Sequence, residues 1–244
     1  MSTPQLSLIS TPRQASLRNQ LLSRMAPEDF DALQPHLEPV QLALRQHLFE
    51  ADTPIGFAYF LESGISSTTT TGGSSQVEVS LSGREGMVGV AIVLGTDRSP
   101  FQCFMQAEGH GLRIASHQLD RLLRERPALH RHLLRYAQAM IVQASSTAFV
   151  NVEHNLETRL ARWILMCHDR VDGDSLRITH EFMAVMLGVR RPGVTATLHI
   201  LEGNGLIRNT RGVITVRDRE GLEKLADDAY GLPEAEYDRL MAQE

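Results

Sequence analysis

Arg190 and Arg191 stand side by side, with Thr195 and His199 following at helical spacing and Arg208 and Arg211 a short way on. These are hydrogen-bond donors of the kind that grip phosphate, and a guanidinium can also pair bidentately with guanine O6 and N7. The rest of the chain holds no rival chemistry of comparable order. There is no GxSxG elbow, no phosphate-binding GxxxxGK loop and no HExxH. Cys103 and Cys167 are too few for a disulfide framework or a four-thiolate cluster, and no Cys/His spacing points to zinc. The expectation is a binding protein with no catalytic residues, no cofactor and no metal.

The elements that must hold those donors are legible around them. Thr179 is placed to cap a helix, with Glu181 in its first turn where the helix dipole favours an anion. Phe182, Val185 and Met186 give that helix an apolar face. Gly188 falls where the chain must turn, and Pro192 opens a second helix at a position that needs no N–H. Val194, Leu198 and Leu201 recur on one stripe of it, and Gly203, Asn204 and Gly205 end it. Leu206–Ile207 and Val213–Val216 then read as two strands around a turn at 209–212. Helix, turn, helix and wing in this order describe a DNA reader, against the blander reading of a small helical subdomain. Its candidate DNA contacts are Thr179, Arg190, Arg191, Thr195, His199, Arg208 and Arg211.

Charge agrees with this placement. The chain carries −5 overall, but residues 176 to 219 hold a local surplus of positive charge and the segment from Glu220 a local surplus of negative. Phosphate attraction acts over about 10 Å, so the local balance decides.

A composition that is 42% hydrophobic over 244 residues predicts a substantial core, divided between two domains. Residues 1–18 read as a flexible arm. Residues 19–127 read as a β-domain with short flanking helices broken at Pro27 and Pro35. Glycine-punctuated runs at Phe57–Leu61, Ile65–Thr71, Gln76–Leu81, Phe101–Gln106 and Leu112–Ile114 supply its strands. SSTTTTGGSS reads as a hairpin, because threonine favours strands. Residues 128–153 read as one long helix. Leu133, Ala137, Met140, Ala144 and Thr147 follow a 3/4 spacing along it and form either a dimer seam or an intramolecular core face. Asn155 caps a following helix whose Leu160, Trp163, Ile164 and Cys167 should face the reader, placing a hinge near His154. The reader occupies 154–220, and 221–244 reads as an acidic tail. No apolar run is long enough to span a bilayer and no signal peptide is apparent, so the expected location is cytoplasmic, with no membrane partner.

A glycine-punctuated β-roll, a long helix and ITHEFMAVMLGVRRPGVTATLHILEGNGLI together resemble the Crp–Fnr family of bacterial transcription regulators, over about residues 20 to 225. The fold this implies is α+β: an N-terminal cyclic-nucleotide-binding-like β-roll, a long dimerisation helix and a C-terminal winged helix-turn-helix. The resemblance implies a homodimer on a two-fold symmetric site in double-stranded DNA. It implies an unidentified small-molecule effector sensed in the β-roll, and RNA polymerase as a further partner. Gly89, Arg98, Ser99 and Ser145 are the positions that could serve an effector. Yet Val90 stands where nucleotide-binding members carry a glutamate, and a valine accepts no bond from a ribose hydroxyl. Pro192 and Ala196 likewise replace side chains that commonly read bases, which shifts the burden to Arg190 and Arg191. The alternative is a ligand- or protein-sensing module whose helix-turn-helix has ceased to read sequence.

Overall fold

Within the polar run Ser66 to Thr71, Ser66, Ser67 and Thr69 are buried while Thr71 reaches the surface. The computed structural model describes residues 12–72 and 75–242. The N-terminal segment packs α1 (Gln20–Ser23) and α2 (Pro27–Leu33) against a β-roll. One antiparallel sheet has the order β1-β8-β3-β6, from β1 (Glu38–Leu42), β3 (Phe57–Leu61), β6 (Met87–Val88) and β8 (Gly109–Ala115). The other has the order β2-β7-β4-β5, from β2 (His47–Phe49), β4 (Ile65–Gly72), β5 (Ser75–Ser82) and β7 (Gln102–Ala107). The expected hairpin forms with Gly72 opposite Ser75, its two tip residues lying outside the described ones. Between the sheets Leu42, Leu61, Val88, Cys103 and Met105 fill the roll. Burial pushes the Cys103 thiol up to about 12, so it behaves as a small apolar side chain.

Helices α3 (Val90–Val93) and α4 (Ser116–Glu125) lead into α5 (Pro127–Glu153). That helix needs a glycine beneath it: a Cβ on Gly86 would lie 2.0 Å from the Tyr136 hydroxyl. Gly86 therefore admits Tyr136, whose hydroxyl meets Ser82 Oγ at 2.9 Å. His130 and His132 donate from Nε2 to the carbonyls of Val93 and Leu21, tying α5 to the roll. The chain breaks at His154, which is extended, and Asn155 caps α6 (Leu156–His168) by accepting from Thr158 N at 3.0 Å.

The C-terminal unit comprises β9 (Ser175–Leu176), α7 (His180–Leu187), α8 (Arg191–Gly203), β10 (Ile207–Thr210) and β11 (Val213–Val216). Its sheet order is β10-β11-β9, so the wing has a third strand that the sequence reading lacked.

Both ends of the chain depart from the sequence expectation. Residues 1–11 of the expected arm lie outside the described ones, but the rest is tied down. Arg18 N donates to Glu62 at 2.9 Å and its guanidinium grips Asp172 bidentately, while Asn19 is fully buried. The stretch read as an acidic tail folds as α9 (Arg219–Ala226) and α10 (Leu232–Met241). Helix α10 lies along α5 and sends Leu240 and Met241 into the core shared by Leu21 and Leu133. Its charge misled the sequence reading, because Glu223, Glu236 and Asp238 pair with Arg219, Arg239 and Arg24.

Candidate nucleic-acid interface

Thr179 caps α7 through its hydroxyl, which accepts from Phe182 N at 3.2 Å. Gly188 closes that helix at φ +63°, a left-handed conformation that suits glycine. The buried face of α7 is Met183, Ala184, Met186 and Leu187, with Phe182 and Val185 only half-buried. Val194, Leu198 and Leu201 are fully buried beneath α8, as their spacing requires.

With that stripe inward, Arg191, Pro192, Ala196, His199 and Ile200 form the exposed face of α8, and Arg190 sits exposed at its N-cap. Arg191 is 65% exposed and only loosely paired with Glu181, at 3.7 Å. Arg208 and Arg211 are exposed on the wing. Five of the six candidate donors, Arg190, Arg191, His199, Arg208 and Arg211, therefore lie exposed on α8, at its N-cap or on the wing beside it. Thr195 is different. Its hydroxyl meets His180 Nδ1 at 3.0 Å, and the other ring nitrogen of His180 meets Asn209 Oδ1 at 3.3 Å. Asn209 N in turn donates to Glu202 at 2.8 Å. His180, absent from the sequence-derived set, thus fastens α7, α8 and the wing together. Its position at N1 of a helix gave no hint of that, since the partners come from later elements.

Not every arginine of the basic segment is free. Arg219 donates to Glu223, Asp169 and the Tyr230 hydroxyl, each at 2.8 Å, and Tyr230 donates to Asp169. This network binds the reader to the C-terminal helices rather than to a ligand.

The reader is docked on the β-roll. Phe182 meets Phe104 edge to face at 6.0 Å, and Gly188 lies against Val77. Glu78, buried, accepts from Ser67 Oγ at 2.5 Å and from Trp163 Nε1 at 2.9 Å. Burial pushes its carboxyl up to about 7, against the pull of those two hydrogen bonds. Trp163 therefore faces the roll, while Leu160, Ile164 and Cys167 share the reader's core as expected. From β4 Ser67 Oγ also meets Met186 Sδ of α7 at 3.3 Å, while its neighbours bond within the sheet. Thr69 accepts from Gln76 at 2.8 Å, and Ser66 donates to Ser82 O.

The effector positions are not assembled into one site by contacts. Gly89 caps α3 at φ +94°. Arg98 is exposed and turned onto its neighbour Asp97 at 3.1 Å, and Ser99 Oγ accepts from Phe101 N. Ser145 is exposed on α5.

The proposed seam also moves. Leu133 and Ala137 are buried within the chain, Met140 is half-buried beside α10, and Thr147 spends its hydroxyl on Gln143 O. Of that set Ala144 alone is exposed. The exposed 3/4 stripe runs one residue later, through Leu134, Gln138, Ile141, Ser145, Ala148 and Val152. Leu134, Ile141 and Val152 are 38%, 54% and 81% exposed, and Phe149 beside them is 56% exposed.

The described residues thus join a β-roll through a long helix to a helix-turn-helix with a wing. Residues 158–225 match the Crp-like helix-turn-helix domain, and over about four fifths of its length the chain shares the fold of solved Crp/Fnr-family structures. FixK2 from Bradyrhizobium japonicum superposes with a TM-score of 0.69 at 12% identity, over 80% of this chain and 99% of that one. A transcriptional regulator of the Crp/Fnr family from Thermus thermophilus gives 0.64 at 19%, over 79% and 100%. The c-di-GMP responsive regulator CLP from Xanthomonas campestris gives 0.62 at 15%, over 78% and 99%. At these identities the likeness is one of fold. No curated protein matches the chain in sequence. No helix among the described residues is long and apolar enough to cross a membrane.

Proposed function

We propose that the protein is a homodimeric regulator that binds a two-fold symmetric site in double-stranded DNA and selects it by sequence. The observation that carries this reading is the exposed face of α8. Arg190, Arg191 and His199 lie open there, flanked by Arg208 and Arg211, while the opposite stripe is fully buried. An arginine at a helix N-terminus, where free N–H groups already favour phosphate, can be released to a base edge. The exposed stripe on α5, with Leu134, Ile141, Ala148 and Val152 among its members, supports pairing with a second copy, because its 4-3-4-3-4 spacing is that of a two-stranded coil. Two readers related by that axis would meet half-sites about 34 Å apart.

One observation favours a second reading, a reader that binds without selecting. Pro192, Ala196 and Ile200 occupy the middle of the exposed face and offer no hydrogen bond to a base. Binding to a mixture of genomic fragments across a salt titration separates the two. Retention of particular fragments as salt rises supports the selective regulator. Uniform, salt-sensitive binding of all fragments supports the second reading, and no binding removes both.

A further inference from the structure

A guanidinium and a hydroxyl are left without partners where the roll, the long helix and the reader meet. Arg162 of α6 is 4% exposed, yet its Nη2 has no hydrogen-bond partner within the chain. Ser80 Oγ on β5 is buried and likewise unpartnered. Both side chains line one cavity of about 20 Å³, which residues of α5 and α7 also line. A buried N–H or O–H without an acceptor is costly, and a buried charge without a counterpart more so.

The neighbouring charged groups do not supply that counterpart. Arg159, on the same lining, donates to Asn151 Oδ1 and Leu187 O, both neutral. Glu78 accepts from Ser67 and Trp163 and attracts Arg162 only at longer range. Glu234 attracts Arg162 from outside the cavity, its own carboxylate accepting from Gly231 N. Arg170 is matched by Glu85. Among the described residues the lining thus sets two guanidiniums against one carboxylate, and burial pushes that carboxyl up to about 7, which removes part of its charge near neutral pH.

We propose that this cavity binds a single inorganic anion of chloride size, held by Arg162 and the Ser80 hydroxyl. One water occupies about 10–15 Å³ of such space, so a monatomic ion fits and a sulfate does not. A water would accept from both groups but leave the charge of Arg162 unmatched. Arg162 stands on the reader side and Ser80 on the roll, so the ion joins the two and stabilises the docked arrangement. The site is separate from Gly89, Arg98, Ser99 and Ser145.

Trp163, the only tryptophan of the chain, lines the same cavity and reports its occupancy without DNA. Its fluorescence is followed in the full chain at about pH 6, where Glu78 is mostly protonated, as sodium chloride replaces sodium gluconate at constant ionic strength. Gluconate is too large to enter, so screening stays fixed while the site fills. The parent should show a saturating change at millimolar chloride and a higher Tm in chloride than in gluconate, and sodium sulfate should produce neither. Arg162→Met puts an apolar chain where the unmatched charge was and should abolish both effects, with circular dichroism checking the fold. Ser80 is half-buried, so Ser80→Ala should fold as the parent does and raise the chloride midpoint about tenfold, the worth of one hydrogen bond to an ion. The proposal is overturned if chloride moves neither readout, if sulfate acts as chloride does, or if Ser80→Ala or a folded Arg162→Met keeps the parent's midpoint.

Discussion

At the scale of single residues, Arg191 and Arg211 are both exposed guanidiniums, and position alone divides their roles. Arg191 begins α8, within reach of whatever the helix enters, whereas Arg211 stands at the wing turn beside Gly212. Replacing Arg191 with alanine should cost about 1–3 kcal/mol on a selected site and flatten the preference at one base pair of each half-site. Replacing Arg211 should weaken all sequences alike and shallow the salt slope by about one unit per monomer. If competition binding shows Arg191→Ala weakening random and selected DNA equally, Arg191 is a phosphate clamp and selectivity rests on His199 or DNA shape. The arginines were legible in the sequence because their neighbours are punctuated by a cap, a glycine and a proline. Thr195 was misjudged as freely available, since its partner His180 lies 15 residues away on another helix.

At the scale of elements, α5 shows where spacing stops being sufficient. Apolar and small residues run along two adjacent stripes, one through Leu133, Ala137 and Met140 and the next through Leu134, Ile141 and Val152. A helix covered on one side by the β-roll and α10 buries the first and leaves the second, and no local signal tells which. Ile141→Glu should therefore split a dimer that sedimentation of the parent reveals, because it places charge in the middle of the exposed stripe. A parent that sediments as a monomer at tens of micromolar would remove the seam altogether. Short strands were missed for a related reason. β2 and β6 hold three and two residues, too few for a period of two to show, and Pro39 interrupts the pattern of β1. By contrast α7, α8 and the second wing strand were readable almost to the residue, since their caps and glycines act locally. The first wing strand runs on through Asn209 and Thr210, which the sequence reading gave to the turn.

At the scale of the whole molecule, the seam between reader and roll contains a buried carboxylate whose ionisation opposes docking. Glu78 has an ordinary value of 4.5 when exposed and is pushed up to about 7 by burial, with Arg162 and Arg170 pulling the other way. The folded state therefore binds more protons than the unfolded one between those values. The contribution is fully present below pH about 4.5 and is lost as pH rises through about 7, by on the order of 3 kcal/mol. Urea titrations at several pH values should show Glu78→Gln losing this part of the slope while retaining the acid-side stability. An unchanged slope would mean that Glu78 stays ionised in its site. The sequence could not disclose this seam, because Ser67 and Glu78 read as residues of a surface hairpin until Met186 and Trp163 are seen to meet them.

Footprinting on a fragment selected for tight binding tests the central claim most directly, since it asks whether two readers act as one. The protein should protect two equivalent segments whose centres lie about 34 Å apart along the duplex, with inverted sequence, and Ile141→Glu should abolish both together. Protection of a single segment, or of no preferred position at any salt, would contradict the account.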